Sequence, residues 1–415
     1  MKKIKIGIFG AGRGMDISRN FMMLGCDIVA LCDNHDERRE AAAAKLDKSV
    51  AIYDNFDAFI EHDMDAVIVA NYFHEHAPYT IRLLEKGIHV FGECISNGTM
   101  AEGVELIEAF ERSNAIYMLA ENYPQMIFNR EIKRICDGGT LGKFLYAEGE
   151  YNHPTSPFDT AFKKRYNYFE GHWRNYIPRA YYVTHSMGPI MWATGATPKK
   201  VTAFGIFKPE TDENAPTACR VGDGAAVITT QNDDGSVFRF TGCASYGAHH
   251  NAYRVCGVNG QVENLRGMGD KVMLRYNSWS KPTPETPEES LYMPQWNDAD
   301  EELIKQGGHG GGDFLTARMF LDCIRENRQP EHPFDIYSAV NMSSVGILAH
   351  RSILNGGKTY DIPDFRTKEG RDRYRDDRET PFYGENGTVP TIPCCTHPDF
   401  KPTERQIELF NECIK

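Results

Sequence analysis

The chain has 415 residues, 41% of them hydrophobic and 25% charged. That composition excludes a disordered or fibrous chain and leaves room for two or three domains. A net charge of −12 without a long basic run argues against nucleic-acid binding, and no apolar run reaches the roughly 18 residues a membrane span needs.

Lysines precede a short apolar stretch at residues 6–9, which superficially resembles a signal peptide. The stretch is too short and glycines follow it, so it reads as a strand in a cytoplasmic protein. Further short apolar strands are predicted at 27–32, 66–70, 89–91 and 116–119. Helical patterns at 37–46, 77–86 and 100–113 fill the gaps. Continuous apolar strands between helices predict an α/β domain with a doubly wound parallel sheet. The pattern changes near Tyr123. A helix over 125–136 ends at Asp137-Gly138-Gly139, and alternating residues begin at 144–151. Strand patterns at 225–230, 237–243, 253–258 and 272–276 are separated by turn signals such as Asn259-Gly260. They predict an α+β domain on a largely antiparallel sheet. Helical patterns at 314–327 and 336–355 are expected to close back on the first domain. The tail is polar, then proline-rich, and ends in a helical pattern at 403–413. The expected organisation is 1–123, 124–365 and a polar extension at 366–415.

The 11 cysteines are an odd number, scattered without a zinc-like spacing. Reduced thiols and no metal site are expected. The chemistry-bearing motif comes first in the chain. Gly10-Ala11-Gly12-Arg13-Gly14 follows the first strand and opens a helix, so its backbone can approach a pyrophosphate. Met15 stands where the usual GxGxxG spacing has its third glycine. Asp33 ends the second strand, 21 residues after Gly12. A carboxylate there accepts hydrogen bonds from ribose hydroxyls and repels a 2′-phosphate, which predicts NAD rather than NADP.

With these features the chain resembles the Gfo/Idh/MocA oxidoreductases over residues 4–365. The resemblance implies an N-terminal Rossmann domain and a C-terminal domain with a predominantly antiparallel sheet. That family's Glu-Lys-Pro hallmark appears here as Glu93-Cys94-Ile95. A thiol cannot supply the ammonium that assists alcohol deprotonation, and an inert buried Cys94 is expected. The chain is more narrowly similar to the NAD-dependent glycosidases of glycoside hydrolase family 109, which also lack that lysine. The matching segments include Phe73-His74-Glu75-His76-Ala77-Pro78, Leu119-Ala120-Glu121-Asn122 and Trp173-Arg174. Tyr182-Val183-Thr184-His185-Ser186-Met187-Gly188-Pro189 and His309-Gly310-Gly311-Gly312-Asp313-Phe314 follow in the same order.

This resemblance implies glycoside cleavage by transient oxidation at sugar C3, with NAD regenerated. A sugar or polyol dehydrogenase that releases NADH is the alternative, and a silent NAD-binding sensor is a third reading. His185 is the candidate to bind the C3 hydroxyl and shuttle its proton. Tyr182 is the candidate C2 base, if a cation such as Arg174 lowers its pKa. Asn71, Phe73 and His76 are expected near the cofactor, with Asn122 and Glu93 flanking its nicotinamide ribose and Cys94 also in the cofactor site. Tyr151, His153, Trp173, Arg174 and Tyr253 are the further substrate candidates. Aromatic density over 166–182 suits stacking on a sugar. An antiparallel sheet with one open face favours a homo-oligomer.

Overall fold

The computed structural model describes residues 3–166, 171–218, 221–384, 387 and 389–415. Residues 167–170 of the aromatic stretch lie outside the described residues. The first sheet is built by β1 (Lys5–Phe9), α1 (Arg13–Met23), β2 (Asp27–Cys32), α2 (Asp36–Ala43), β3 (Ala51–Tyr53), α3 (Phe56–Phe59), β4 (Ala66–Val69), α4 (His76–Glu85), β5 (His89–Gly92), α5 (Met100–Glu111) and β6 (Tyr117–Leu119). All six strands run parallel in the order β3-β2-β1-β4-β5-β6. The order reverses between β1 and β4, the place where a doubly wound sheet opens a ligand crevice. All four residues of β4 are buried, as a central parallel strand with both faces covered requires.

The second sheet follows α6 (Ile127–Asp137). Its elements are β7 (Phe144–Asn152), α7 (Thr160–Tyr166), α8 (Thr184–Thr194), β8 (Pro198–Ile206), β9 (Ala225–Asn232), β10 (Val237–Ala244), β11 (His250–Gly257), β12 (Gly260–Asn264), β13 (Val272–Tyr276) and β14 (Glu289–Tyr292). The chain ends with α9 (Glu301–Gln306), α10 (Gly312–Glu326), α11 (Ile336–Leu354), β15 (Tyr360–Asp361), α12 (Lys368–Asp372) and α13 (Glu404–Ile414). The strand order is β14-β13-β12-β11-β7-β10-β9-β8-β15. Every pairing is antiparallel except β7 with β10, which are parallel. Sequence pattern alone does not mark β3, β8, β12, β14 or β15. β3 has three residues and β15 two, too short for a periodicity, and β8 opens with Pro198 and two lysines.

α10 returns to the first sheet. Its Phe320 meets Phe21 of α1 edge-on at 6.2 Å and Phe91 of β5 at 5.2 Å. α11 is buried along almost its whole length, against α5 on one side and β8 on the other. The tail lies along the acidic face of α5. Arg371 pairs with Glu111 at 2.7 Å, Arg375 with Glu108 at 2.8 Å, and Arg378 with Glu105. Those glutamates recur every third residue, so they share one helix face. α13 packs on α7. The ten described cysteines are all free thiols. Among the described residues no helix is long and apolar enough to cross a membrane.

Candidate active site

The crevice at the switch point begins with the glycine turn. Gly10 adopts φ +98°, and a Cβ there would collide with the Ala70 carbonyl. A Cβ on Gly14 would sit 2.7 Å from the Ile8 Cγ2, so Gly14 keeps α1 close to β1. It does this one position before the usual third glycine, which leaves Met15 free to carry a side chain. Asp33 ties the turn to the end of β2. Its carboxylate accepts from the Ala11 amide at 2.7 Å and the His35 amide at 2.8 Å. An ionised carboxylate has about four acceptor positions, so capacity remains for ribose hydroxyls.

Arg13 projects from the turn into a clamp. Its Nη2 donates to Asp313 Oδ1 at 2.6 Å and its Nη1 to Oδ2 at 3.1 Å, while Nε reaches Glu93 Oε1 at 3.2 Å. Asp313 opens α10 and also accepts from Asn122 at 2.6 Å and His309 at 3.0 Å. Burial opposes its ionisation. The His309 hydrogen bond and the Arg13 charge outweigh that and hold its carboxyl well below the usual range. The clamp therefore fixes the glycine turn to β5, the end of β6 and α10.

The inner end of the crevice is aromatic and titratable. Glu121 is fully buried just beyond β6, and His185 lies in the first turn of α8. His185 Nδ1 is 2.8 Å from Glu121 Oε1 and 3.0 Å from Oε2. A carboxylate only accepts, so Nδ1 carries the proton and Nε2 faces the Tyr182 hydroxyl at 3.3 Å. Burial pushes Glu121 toward its neutral form, but His185, Cys94 and Thr184 outweigh it and hold its pKa below the ordinary value. Tyr123 stacks on the imidazole with centroids 4.1 Å apart, and Tyr151 meets it edge-on at 5.0 Å. Burial raises the Tyr182 pKa well above its ordinary value. Glu93 adds to that rise, and Arg174 only partly opposes it. The cation expected to activate Tyr182 is thus present but outweighed, and the phenol is neutral.

Cys94 is 2% exposed and its thiol donates to Glu121 Oε2 at 3.2 Å. Burial first, then the charges of Glu121 and Glu93, raise its pKa well above 9.0, so it is an unreactive thiol. Sequence spacing offered no metal set, yet folding brings donor atoms of Cys94, Glu121 and His185 within 4.8 Å of one another. Here they hydrogen-bond to each other through Glu121.

A cleft of about 1300 Å³ joins these parts. Gly12, Arg13 and Met15 line it at the turn, and Asn71, Phe73 and His76 along the β4 edge. Glu93, Cys94 and Asn122 line its middle; Tyr151, His153, Trp173, Arg174, Tyr182 and His185 line its inner end. Gly10 and Asp33 border an adjoining hollow of about 710 Å³. Gly14 faces Ile8 and touches neither. Tyr253, expected at the substrate, does not reach the cleft. It is 1% exposed, outside the cleft lining, and its hydroxyl donates to the His185 carbonyl at 2.7 Å. It braces α8 rather than facing a sugar, because β11 turns that side chain into the core. Glu121, His309 and Asp313 were given no role from sequence. A glutamate closing an otherwise apolar strand segment was the available signal for Glu121.

The cleft suits NAD. Asn71 Oδ1, His76 Nε2 and Asn122 Oδ1 are buried acceptors without a hydrogen-bond partner, all on cleft-lining residues. His76 holds its other nitrogen on the Ile95 carbonyl at 2.7 Å, and burial lowers its pKa, so the ring is neutral. Such acceptors match the hydroxyl and amide donors of a nicotinamide riboside.

Comparison with known proteins agrees with this geometry. Residues 4–121 match the oxidoreductase family with an NAD-binding Rossmann fold, and residues 132–371 match the C-terminal domain of glycosyl hydrolase 109. The chain belongs to glycosyl hydrolase family 109. It is an enzyme of the Gfo/Idh/MocA oxidoreductases with an NAD-binding Rossmann domain. A family 109 protein of Streptomyces niveus is 27% identical over 403 residues, covering 88% of this chain and 78% of that one. An alpha-N-acetylgalactosaminidase of Shewanella oneidensis is 24% identical, covering 88% and 85%. The fold is also that of levoglucosan dehydrogenase in complex with NADH and levoglucosan, with TM-score 0.71 and 16% identity, covering 87% of this chain and all (100%) of that one. The myo-inositol 2-dehydrogenase of Lactobacillus plantarum superposes with TM-score 0.63 at 19% identity, covering 87% and 99%.

Proposed function

We propose that this family 109 enzyme cleaves a glycoside by transient oxidation at sugar C3. The observation that carries the reading is the hydrogen-bonded chain Tyr182–His185–Glu121 at the inner end of the cleft. NAD held in this cleft would supply a reversible hydride acceptor for C3, so that no net NADH would form. The residues do the rest. The Tyr182 oxygen accepts the O3 proton while its own proton passes to His185 Nε2. The two transfers are coupled because burial makes a free phenolate costly. Glu121 balances the imidazolium that results.

The C3 ketone makes the C2 proton removable, and its loss breaks the bond from C1 to the aglycone oxygen. A second base is needed for that proton. Tyr182 was the sequence candidate, but its neutral phenol already serves O3. His153 takes the C2 role in this reading. It lines the cleft beside Tyr151 and is held neutral, first by burial and then by His249 and Arg179. The departing aglycone oxygen takes up a proton from solvent; water then adds its oxygen at C1 and gives that proton back, while the C2 and O3 protons return as C3 is reduced again.

A net dehydrogenase could use the same Glu121–His185 pair, and one experiment separates the two. Purified protein without added NAD is incubated with nitrophenyl glycosides in heavy water. The expected result is aglycone release, deuterium at C2 and no NADH absorbance. NADH formation from free sugars on adding NAD, with no aglycone released from any glycoside, would replace the glycosidase with the dehydrogenase.

A further inference from the structure

Among the described residues, two cations at the inner end of the cleft have no carboxylate counter-ion. Arg179 lies in a one-turn 3-10 helix, Arg179–Tyr181, three residues before Tyr182. Its Nη1 makes a long contact of 3.6 Å with the Cys243 thiol. The Arg174 guanidinium stacks 4.5 Å over Trp173 and 5.1 Å over Tyr166. Among the described residues no carboxylate pairs with either arginine, although both are partly buried and both line the cleft with Tyr182 and His185.

Arg13 shows the contrast. It lines the same cleft and is matched by Glu93 and Asp313. The chain as a whole has 58 acidic residues against 46 basic ones, so a shortage of carboxylates does not explain two unmatched guanidinium groups in one hollow. Withdrawing a charge from water without a partner is unfavourable, so such a pair persists where a ligand completes it. The planar donors of arginine suit a carboxylate or a sulfate. The neighbouring rings add no negative charge. His153 and His249 meet edge-on at 4.9 Å beside this end of the cleft.

We propose that Arg174 and Arg179 form an anion subsite beside the Tyr182–His185 pair, and that the sugar bound there carries a carboxylate or a sulfate ester. This names the substrate class of the reaction proposed above and rests on that reading for its chemistry, but its test needs no turnover. Full-length protein with saturating NAD is titrated calorimetrically with the methyl glycosides of glucose and galactose, the matching uronates, and the 6-sulfates. At least one acidic sugar binds about 10–100-fold more tightly than its neutral parent. In Arg179→Gln that ratio falls to about one, and Arg179→Lys restores part of it. Unchanged NAD affinity shows that the variants fold.

Tight uronate binding identifies a carboxylate, and tight sulfate binding a sulfate ester. Neutral sugars binding as well as the acidic ones, no acidic sugar binding, or an acid preference that survives Arg179→Gln would each overturn the subsite. Acid preference without aglycone release would leave the subsite standing and remove the glycosidase. Aglycone release without acid preference would do the reverse.

Discussion

Glu121 is the residue on which the site turns. It has no contact with solvent, yet three neighbours hold it ionised, and the nearest is His185 Nδ1 at 2.8 Å. A carboxylate in that position orients the imidazole and stabilises its charged form. A charge-assisted hydrogen bond of this kind contributes about 1.5–3 kcal/mol. Glu121→Gln keeps the shape and removes the charge, so kcat is expected to fall about 10–100-fold. KM and NAD affinity should stay within about twofold, because Glu121 positions His185 and lies outside the cleft lining. Steady-state kinetics with a glycoside turned over by the wild type checks this. A loss seen only in KM would assign Glu121 to substrate binding instead.

Among the elements, α5 carries the clearest pH signature. Thr99 and Glu102 form a reciprocal cap at its start, with Glu102 Oε2 accepting from Gly98 at 2.8 Å and Thr99 at 3.0 Å. Burial raises the Glu102 pKa to about 7 against these stabilising bonds. The folded state therefore holds this proton above the pH at which the unfolded chain releases it. That contribution is complete below about pH 4.5 and is lost as the pH rises through about 7. Glutamine makes the same cap without a proton to lose. Denaturant titrations of Glu102→Gln should show a flatter stability profile between those pH values, by about 1–3 kcal/mol. Equal slopes for wild type and variant would remove Glu102 as the source.

Across the whole molecule, the second sheet depends on ionised carboxylates. Glu150 of β7 pairs with Arg239 of β10 at 3.1 Å, with His250 of β11 at 3.0 Å, and with Arg266 at 2.8 Å. Glu148 bridges the same strands through Arg239 and Arg254. These pairs stitch the parallel β7–β10 junction to its antiparallel neighbour. Burial opposes ionisation of Glu150, but Arg266, His250 and Arg239 bring its pKa down to about 2. A depressed pKa of this kind stabilises the fold above about pH 4.5, and the benefit disappears as the pH falls to about 2. Thermal melts should show an acid-side loss of about 2–3 kcal/mol from this residue, smaller in Glu150→Gln. An identical acid profile in the variant would rule out Glu150 as the cause.

The cofactor turn was legible in the chain because its chemistry is local. A glycine turn between β1 and α1, with an acid at the end of β2, lies within about thirty residues, and strand and helix periodicity place it. Longer strands were readable for the same reason, whereas β3 and β15 were too short to show a period. Family motifs then pointed to Tyr182 and His185. Those motifs did not say that burial would keep Tyr182 a neutral phenol, or that Tyr253 would turn inward to brace α8. Nor could spacing join Arg13 to Asp313, Glu121 to His185, or Arg174 to Arg179 in one hollow where no described carboxylate pairs with either arginine. Local backbone preference acts over a few residues and is written along the chain. Desolvation, charge matching and long-range pairing depend on which surfaces meet, and those are assigned when α10 and α11 fold back against the first sheet.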